Sequence, residues 1–143
     1  MDALVSNEPG DPAGEVPVET IRLVVPARPE FVEVARTATS ALAFGCGLAS
    51  DEVDGVCEAV QVALGMLNEL SPQEAAELRF KPRTGQLSVD VQALRAAAPG
   101  LSVAEQFALH AQLAVFVDAI EFNEAGTSVG FRKETQPATG PLR

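Results

Sequence analysis

The sequence predicts an α+β domain, a two-layer sandwich in which a mixed, mostly antiparallel sheet carries three helices on one face. Three observations predict it. Apolar spacing switches along the chain between period two and period three to four, in the order strand, helix, helix, strand, strand, helix, strand, strand. The 143 residues are 47% apolar, which suits one core and not two. Composition changes at both ends: residues 1–18 (MDALVSNEPGDPAGEVPV) and 135–143 (TQPATGPLR) mix Pro, Gly and polar residues without apolar periodicity. The folded unit is therefore placed at 19–134, with both ends expected to be disordered tails.

Thr20 to Pro26 is a β-branched run with Ile21, Leu23 and Val25 on one face, stopped by proline. From Pro29 to about Phe44, Phe31, Val34, Ala35, Ala38 and Leu42 recur at helical spacing, and Gly45-Cys46-Gly47 ends the pattern. Ser50 offers an N-cap oxygen for a second helix, with Asp51 and Glu52 where the helix dipole favours acids. Its apolar stripe runs through Val53, Val56, Cys57, Val60, Leu64 and Leu67 to about Leu70. Strands at Glu77–Lys81 and Gln86–Val91 read as a hairpin around a turn with Pro82 and Gly85. Residues 93–101 read as a linker; Ser102 and Glu105 form a capping box that opens a third helix, to about Val117. Ala119–Asn123 and Ser128–Lys133 close the chain as a second hairpin.

Composition excludes several function classes. Ten Lys and Arg against twenty Asp and Glu give a net charge of −10, which repels nucleic-acid backbones and anionic lipid heads. Seven acids and no cation lie between Arg36 and Arg79; this is either a solvated face or a docking surface for a basic partner. No run approaches the roughly 18 apolar residues of a membrane span. The first twenty residues hold five acids and no Lys or Arg, unlike a signal peptide, so the expected compartment is the cytoplasm. Cys46 and Cys57 are too few for a zinc site and read as reduced packing residues. His110, the one histidine, stands among Ala108, Leu109, Ala111 and Leu113, a packing or surface position rather than that of a general base.

Three segments carry a family likeness: LVVPARPEFVEVAR, GLASDEVDGVCEAVQVAL, and AVFVDAIEF followed by GTSVGF. In this order the chain resembles the small anti-sigma factor serine/threonine kinases of the GHKL, or histidine-kinase-like, ATPase superfamily, across nearly all of 19–134. The resemblance implies that superfamily's two-layer ATPase fold, ATP and Mg²⁺ as cofactors, and a helix A arginine, here Arg36, that contacts a sigma factor or its antagonist. It also matches Asp118 to a family position.

The nucleotide motifs do not carry over. Members of that family hold ATP with a Glu-x-x-x-Asn pair on the second helix, the carboxylate acting as base and the amide holding magnesium. The register fixed by Arg36 and Ala63 puts Val62 and Met66 at those positions; a one-residue shift gives Gln61 and Gly65. Four residues before Asn7, Asn68 and Asn123 stand Ala3, Leu64 and Ala119, so no such pair exists in any register. The family's Asp-x-Gly-x-Gly motif is missing too: no aspartate has glycine two residues on, and Ala93 stands where its aspartate belongs. Loss of both the base and the metal ligand costs on the order of 10³-fold or more in rate.

The sequence thus points to a degenerate member that binds no cofactor. Its expected role is a non-catalytic, anti-sigma-like regulator that sequesters a sigma factor or its antagonist, with Glu30, Glu33 and Arg36 as the implied partner-binding residues. Homodimerisation is a further implication of the resemblance. The competing expectation is an active kinase that phosphorylates an antagonist. An ordinary Arg36–Glu33 ion pair is the plain alternative for the arginine, and a collapsed pocket is the expectation for Val62 and Met66.

Overall fold

Local capping chemistry sets where each element begins and ends. The computed structural model describes residues 19–70, 75–94 and 100–136. Its elements are β1 (Ile21–Pro26), a 3-10 turn (Pro29–Phe31), α1 (Val32–Gly45), α2 (Ser50–Leu70), β2 (Ala75–Arg83), β3 (Gln86–Leu94), α3 (Val103–Leu113), β4 (Ala119–Phe122) and β5 (Ser128–Glu134). The tail expected at 1–18, residues 137–143 of the tail expected at 135–143, and residues 95–99 of the expected linker lie outside the described residues.

Pro29 opens a 3-10 turn that precedes the first helix, and the α-helix itself starts only at Val32. Its end is a Schellman motif: Leu48 N–H donates to Ala43 O at 3.2 Å and Gly47 N–H to Phe44 O at 3.0 Å, with Gly47 at φ +90°. Ser50 is not the N-cap of α2. Ala49 is, since its carbonyl accepts Val53 N–H at 2.8 Å, and Glu52 reaches back to accept the Ala49 N–H at 2.7 Å. This is the glutamate half of a capping box: the side chain at the third helical position accepts the N-cap residue's own N–H, and Ala49 has no side-chain oxygen to return the bond. The capping box at Ser102 and Glu105 forms as expected, and α3 ends at Leu113, earlier than its apolar pattern suggested.

The sheet order is β1-β2-β3-β5-β4. All four neighbouring pairs are antiparallel, so the expected mixed sheet is not found. The reason is topological. β3 and β4 point the same way, but β5 returns from β4 and inserts between them, so no parallel pair is hydrogen-bonded. β3 also runs on through Ala93 and Leu94, which continue the register to Ala76 and Ala75 instead of starting the linker.

Side-chain alternation then sorts the sheet into two faces. One row of partners is Ile21, Phe80, Val89, Phe131 and Ile120; the next is Leu23, Leu78, Val91, Val129 and Phe122. The central members, Phe80, Val89, Phe131, Leu78, Val91 and Val129, meet Val53, Val56, Val60, Leu64 and Leu67 of α2 and Leu109 and Leu113 of α3 in one buried cluster, with Leu23, Ile120 and Phe122 partly buried against it and Ile21 exposed at the sheet edge. Each fully buried Leu, Val or Phe contributes roughly 1.5–3 kcal/mol. No helix among the described residues is long and apolar enough to cross a membrane.

Past β5 the chain stays bound. Thr135 N–H donates to Gly85 O, and Gln136 N–H to Glu52, both at 2.8 Å. Those two residues, read from composition as tail, are thus fastened to the β2–β3 turn and to the start of α2.

Candidate functional site

The residues implied as a partner surface sit on the α1 side of the helix layer. Glu30, on the 3-10 turn, lies 3.7 Å from Arg28, whose guanidinium stacks over the Phe31 ring at 5.3 Å. Arg36 does not pair with Glu33. It reaches across to α2, donating to Glu58 at 3.1 Å and to Gln61 at 2.8 Å. Glu58 and Gln61 are three apart, one turn of the same helix face, so together they hold one guanidinium. Glu33 and Arg36 line a shallow depression of about 370 Å³ with Thr37, Ser40, Asp54 and Cys57. The Arg36 side chain is 27% exposed, enough for a partner to touch it although it is already neutralised.

The positions to which the resemblance assigns ATP are elsewhere. Val62 and Met66 are half-buried and pack against the core cluster. Ala93 is buried near the end of β3, and its N–H donates to Thr127 O at 2.9 Å. A valine and a thioether facing the core offer no oxygen to a magnesium ion, and a methyl group offers nothing to an adenine amino group. ATP and Mg²⁺ therefore do not fit these residues. Among the described residues no group of three or more His, Cys, Asp or Glu side chains is arranged to hold a metal.

A third locus was not foreseen. On the sheet face away from the helices, Arg22, Arg79, Asp90, Gly130 and Glu121 follow one another across the five strands. Glu77 is 4% exposed because Arg22 and Arg79 fold over it, each donating its Nε to the same carboxylate oxygen at 2.7 Å. Those two bonds hold the Glu77 carboxyl below its usual range. Next to them a depression of about 540 Å³ has Arg79, Lys81, Ser88, Asp90, Glu121 and Arg132 around it and Gly130 at its floor. Burial pushes the Asp90 carboxyl above its ordinary value, against the pull of Arg79 and Lys81. The signal was present in the sequence as the second parity of each strand, where Glu77, Arg79 and Lys81 alternate with Ala76, Leu78 and Phe80.

Charge is segregated between the layers. Helices α1 to α3 carry seven acids and one arginine, whereas the five strands carry six cations and four acids. Within the regular elements, then, the net negative charge is on the helices and the net positive charge on the strands. His110 is exposed in the last turn of α3 and takes no part in any of the three loci. Cys46 and Cys57 are free, buried thiols whose pKa values are raised by burial, the opposite of an activated nucleophile. No known family model matches the chain, and no curated protein matches it.

Proposed function

We propose that this protein is a non-catalytic regulator that binds another protein, a sigma factor or the antagonist of one, and acts by covering it. The reading rests on the resemblance of residues 19–134 to the anti-sigma kinases and takes the chain as a degenerate member of the GHKL superfamily. One observation carries the non-catalytic half: Val62 and Met66, at the positions of the family's base and metal ligand, turn apolar side chains to the core. What the helix layer retains is a partly exposed, rigidly held Arg36 in an acidic surface, features that suit recognition and electrostatic steering of a basic partner.

Calorimetric titration with ATP and Mg²⁺ tests the first half. No saturable heat is expected; micromolar affinity would end the reading and favour the competing one, a working serine kinase. Co-purification from the native cell tests the second half, with a sigma factor or a sigma-factor antagonist as the expected companion. Recovery of neither counts against the regulatory role. Given such a partner, Arg36→Glu is expected to weaken it by about tenfold or more, the cost of reversing one contact charge. Unchanged affinity removes α1 from the interface.

A further inference from the structure

Arg22 and Arg79 converge on Glu77 from two strands, and the three charges do not balance. Each arginine donates its Nε to the same oxygen, Oε2, at 2.7 Å, and the Glu77 side chain beneath them is 5% exposed. One guanidinium is enough to neutralise one carboxylate. The second leaves a surplus positive charge, and its bond to a buried group fixes it in place. Among the described residues neither guanidinium bonds a second acceptor, and the two side chains stay 63% and 44% exposed. Lys81, two residues on along β2, is exposed, lines the same depression as Arg79, and has no ion pair among the described residues. Together they make a cationic strip on the open face of the sheet, in a chain whose net charge is −10.

The width and spacing of the strip decide its occupant. Arg22 and Arg79 are register partners on β1 and β2, so the strip is two strands, about 5 Å, across. Asp90, the register partner of Arg79 on β3, bounds it on the inner side, and Glu121 follows across Gly130. Asp90 is close enough for both Arg79 and Lys81 to pull on its proton equilibrium. A nucleic-acid duplex or a lipid surface is too broad, because it sets phosphates over Asp90 and Glu121 as well as over the cations. An extended polypeptide is narrow enough. Its side chains on one side recur every second residue, about 6.7 Å apart, the same spacing as Arg79 and Lys81 along β2. Its carboxylates also accept paired N–H bonds from a guanidinium. The chain's own residues 1–18 match this poorly, since their acids, Asp2, Glu8, Asp11 and Glu15, are never two apart.

We infer that the strip formed by Arg22, Arg79 and Lys81 docks an extended acidic segment of another protein, one with Asp or Glu at alternate positions. Its carboxylates meet the exposed ends of the two fixed guanidiniums and the Lys81 ammonium. The strip lies on the sheet layer, whereas Arg36 lies on the helix layer, so the inference stands whether or not the partner proposed there is a sigma factor.

The probe is a fluorescein-labelled peptide of alternating Glu and Thr, titrated with the full chain at physiological salt, where distant acids are screened, and read by fluorescence anisotropy. Saturable one-to-one binding is expected, and none for the same peptide with Gln in place of Glu. Lys81→Gln is expected to weaken binding about threefold, the usual effect of an exposed charge pair. Asp90→Asn is expected to strengthen it by a similar factor, because it removes the like charge beside the strip. The double variant Arg22→Gln, Arg79→Gln is expected to weaken it by about tenfold or more. That variant strips Glu77 of both its partners, so its thermal melt is compared with the parent's. Lys81 and Asp90 have no hydrogen-bonded partner among the described residues, so their variants decide the outcome if the double variant unfolds. Any of five results overturns the proposal. The Glu peptide does not saturate; Lys81→Gln and Asp90→Asn both leave its affinity unchanged; or an oligothymidylate of equal charge binds more tightly than the peptide. The fourth is a dimer, seen by sedimentation, that Lys81→Gln dissociates. The last is a gain of about tenfold in probe affinity when the full chain carries Asp2→Asn, Glu8→Gln, Asp11→Asn and Glu15→Gln, which makes its own N-terminal segment the occupant.

Discussion

The carboxylate of Glu52, in the first turn of α2, accepts the backbone N–H of Gln136 at 2.8 Å, a contact between residues 84 apart in the sequence. Its other oxygen accepts Ala49 N–H at 2.7 Å. One buried side chain thus caps the second helix and fastens the chain where it leaves β5. Replacing Glu52 with alanine strips both N–H groups of their partner and is expected to cost about 1–3 kcal/mol. Glu52→Gln keeps one carbonyl acceptor and is expected to lose less. Thermal unfolding of the two variants checks the order.

Acid is expected to loosen the fold through two carboxylates. Hydrogen bonds from Ala49 and Gln136 lower the Glu52 pKa from 4.5, and those from Arg22 and Arg79 lower that of Glu77. A lowered folded-state value means that the unfolded chain binds protons first. The stabilisation is therefore complete above about pH 4.5 and is lost as pH falls through the depressed folded values. Denaturant midpoints measured between neutral pH and pH 3 are expected to fall, and to fall less in Glu77→Gln.

Asp90 carries the opposite sign. Its raised pKa means that the folded state holds the charged form at a penalty, which is absent at low pH and present above the folded value. Asp90→Asn is expected to raise the melting temperature at neutral pH, with a gain that shrinks as acid protonates the parent. A melting temperature lowered at pH 7 would show that Arg79 and Lys81 repay the burial of this carboxylate.

Gly126 holds the final hairpin against the start of α3. Its φ is +71°, its carbonyl accepts Leu101 N–H at 2.8 Å, and a Cβ there would lie 2.5 Å from Leu101 O. Gly126→Ala combines a left-handed backbone with a backbone clash, and a loss of about 2 kcal/mol or more is expected. Chemical denaturation measures it. Gly65→Ala, where a Cβ meets nothing within 4 Å, is the control that should be neutral or stabilising.

The two thiols supply a further check on burial. Cys46 and Cys57 are both buried with raised pKa values. Alkylation in native buffer is expected to be slow for both and to become fast only in denaturant. A fast native phase would place one of them at the surface.

How much of this was legible in the residues follows from the range of each interaction. The order of strands and helices, the glycine-rich end of α1 at Gly45–Gly47 and the capping box at Ser102 depend on neighbours within five residues and were legible in the sequence, whereas the ends of β3 and α3 were not. The mistaken cap at Ser50 is of the same range. The helix begins one residue earlier than the serine suggests, because Glu52 bonds the Ala49 N–H and, across the fold, the Gln136 N–H.

By itself, then, the sequence determined an α+β chain with one apolar core, its elements in order, an acidic stretch from Asp51 to Glu77, and the absence of the paired acid and amide that a nucleotide site of the resembled kind requires. Only the tertiary structure decided that β5 slips between β3 and β4 to make the sheet wholly antiparallel. It also decided that Arg36 binds Glu58 and Gln61 instead of Glu33, that Arg22 and Arg79 close over Glu77, and that one side of α3 stays uncovered. Each of these joins residues far apart in the chain. Spacing along a helix or strand says which side chains share a face; which other face they meet is set by how the layers pack.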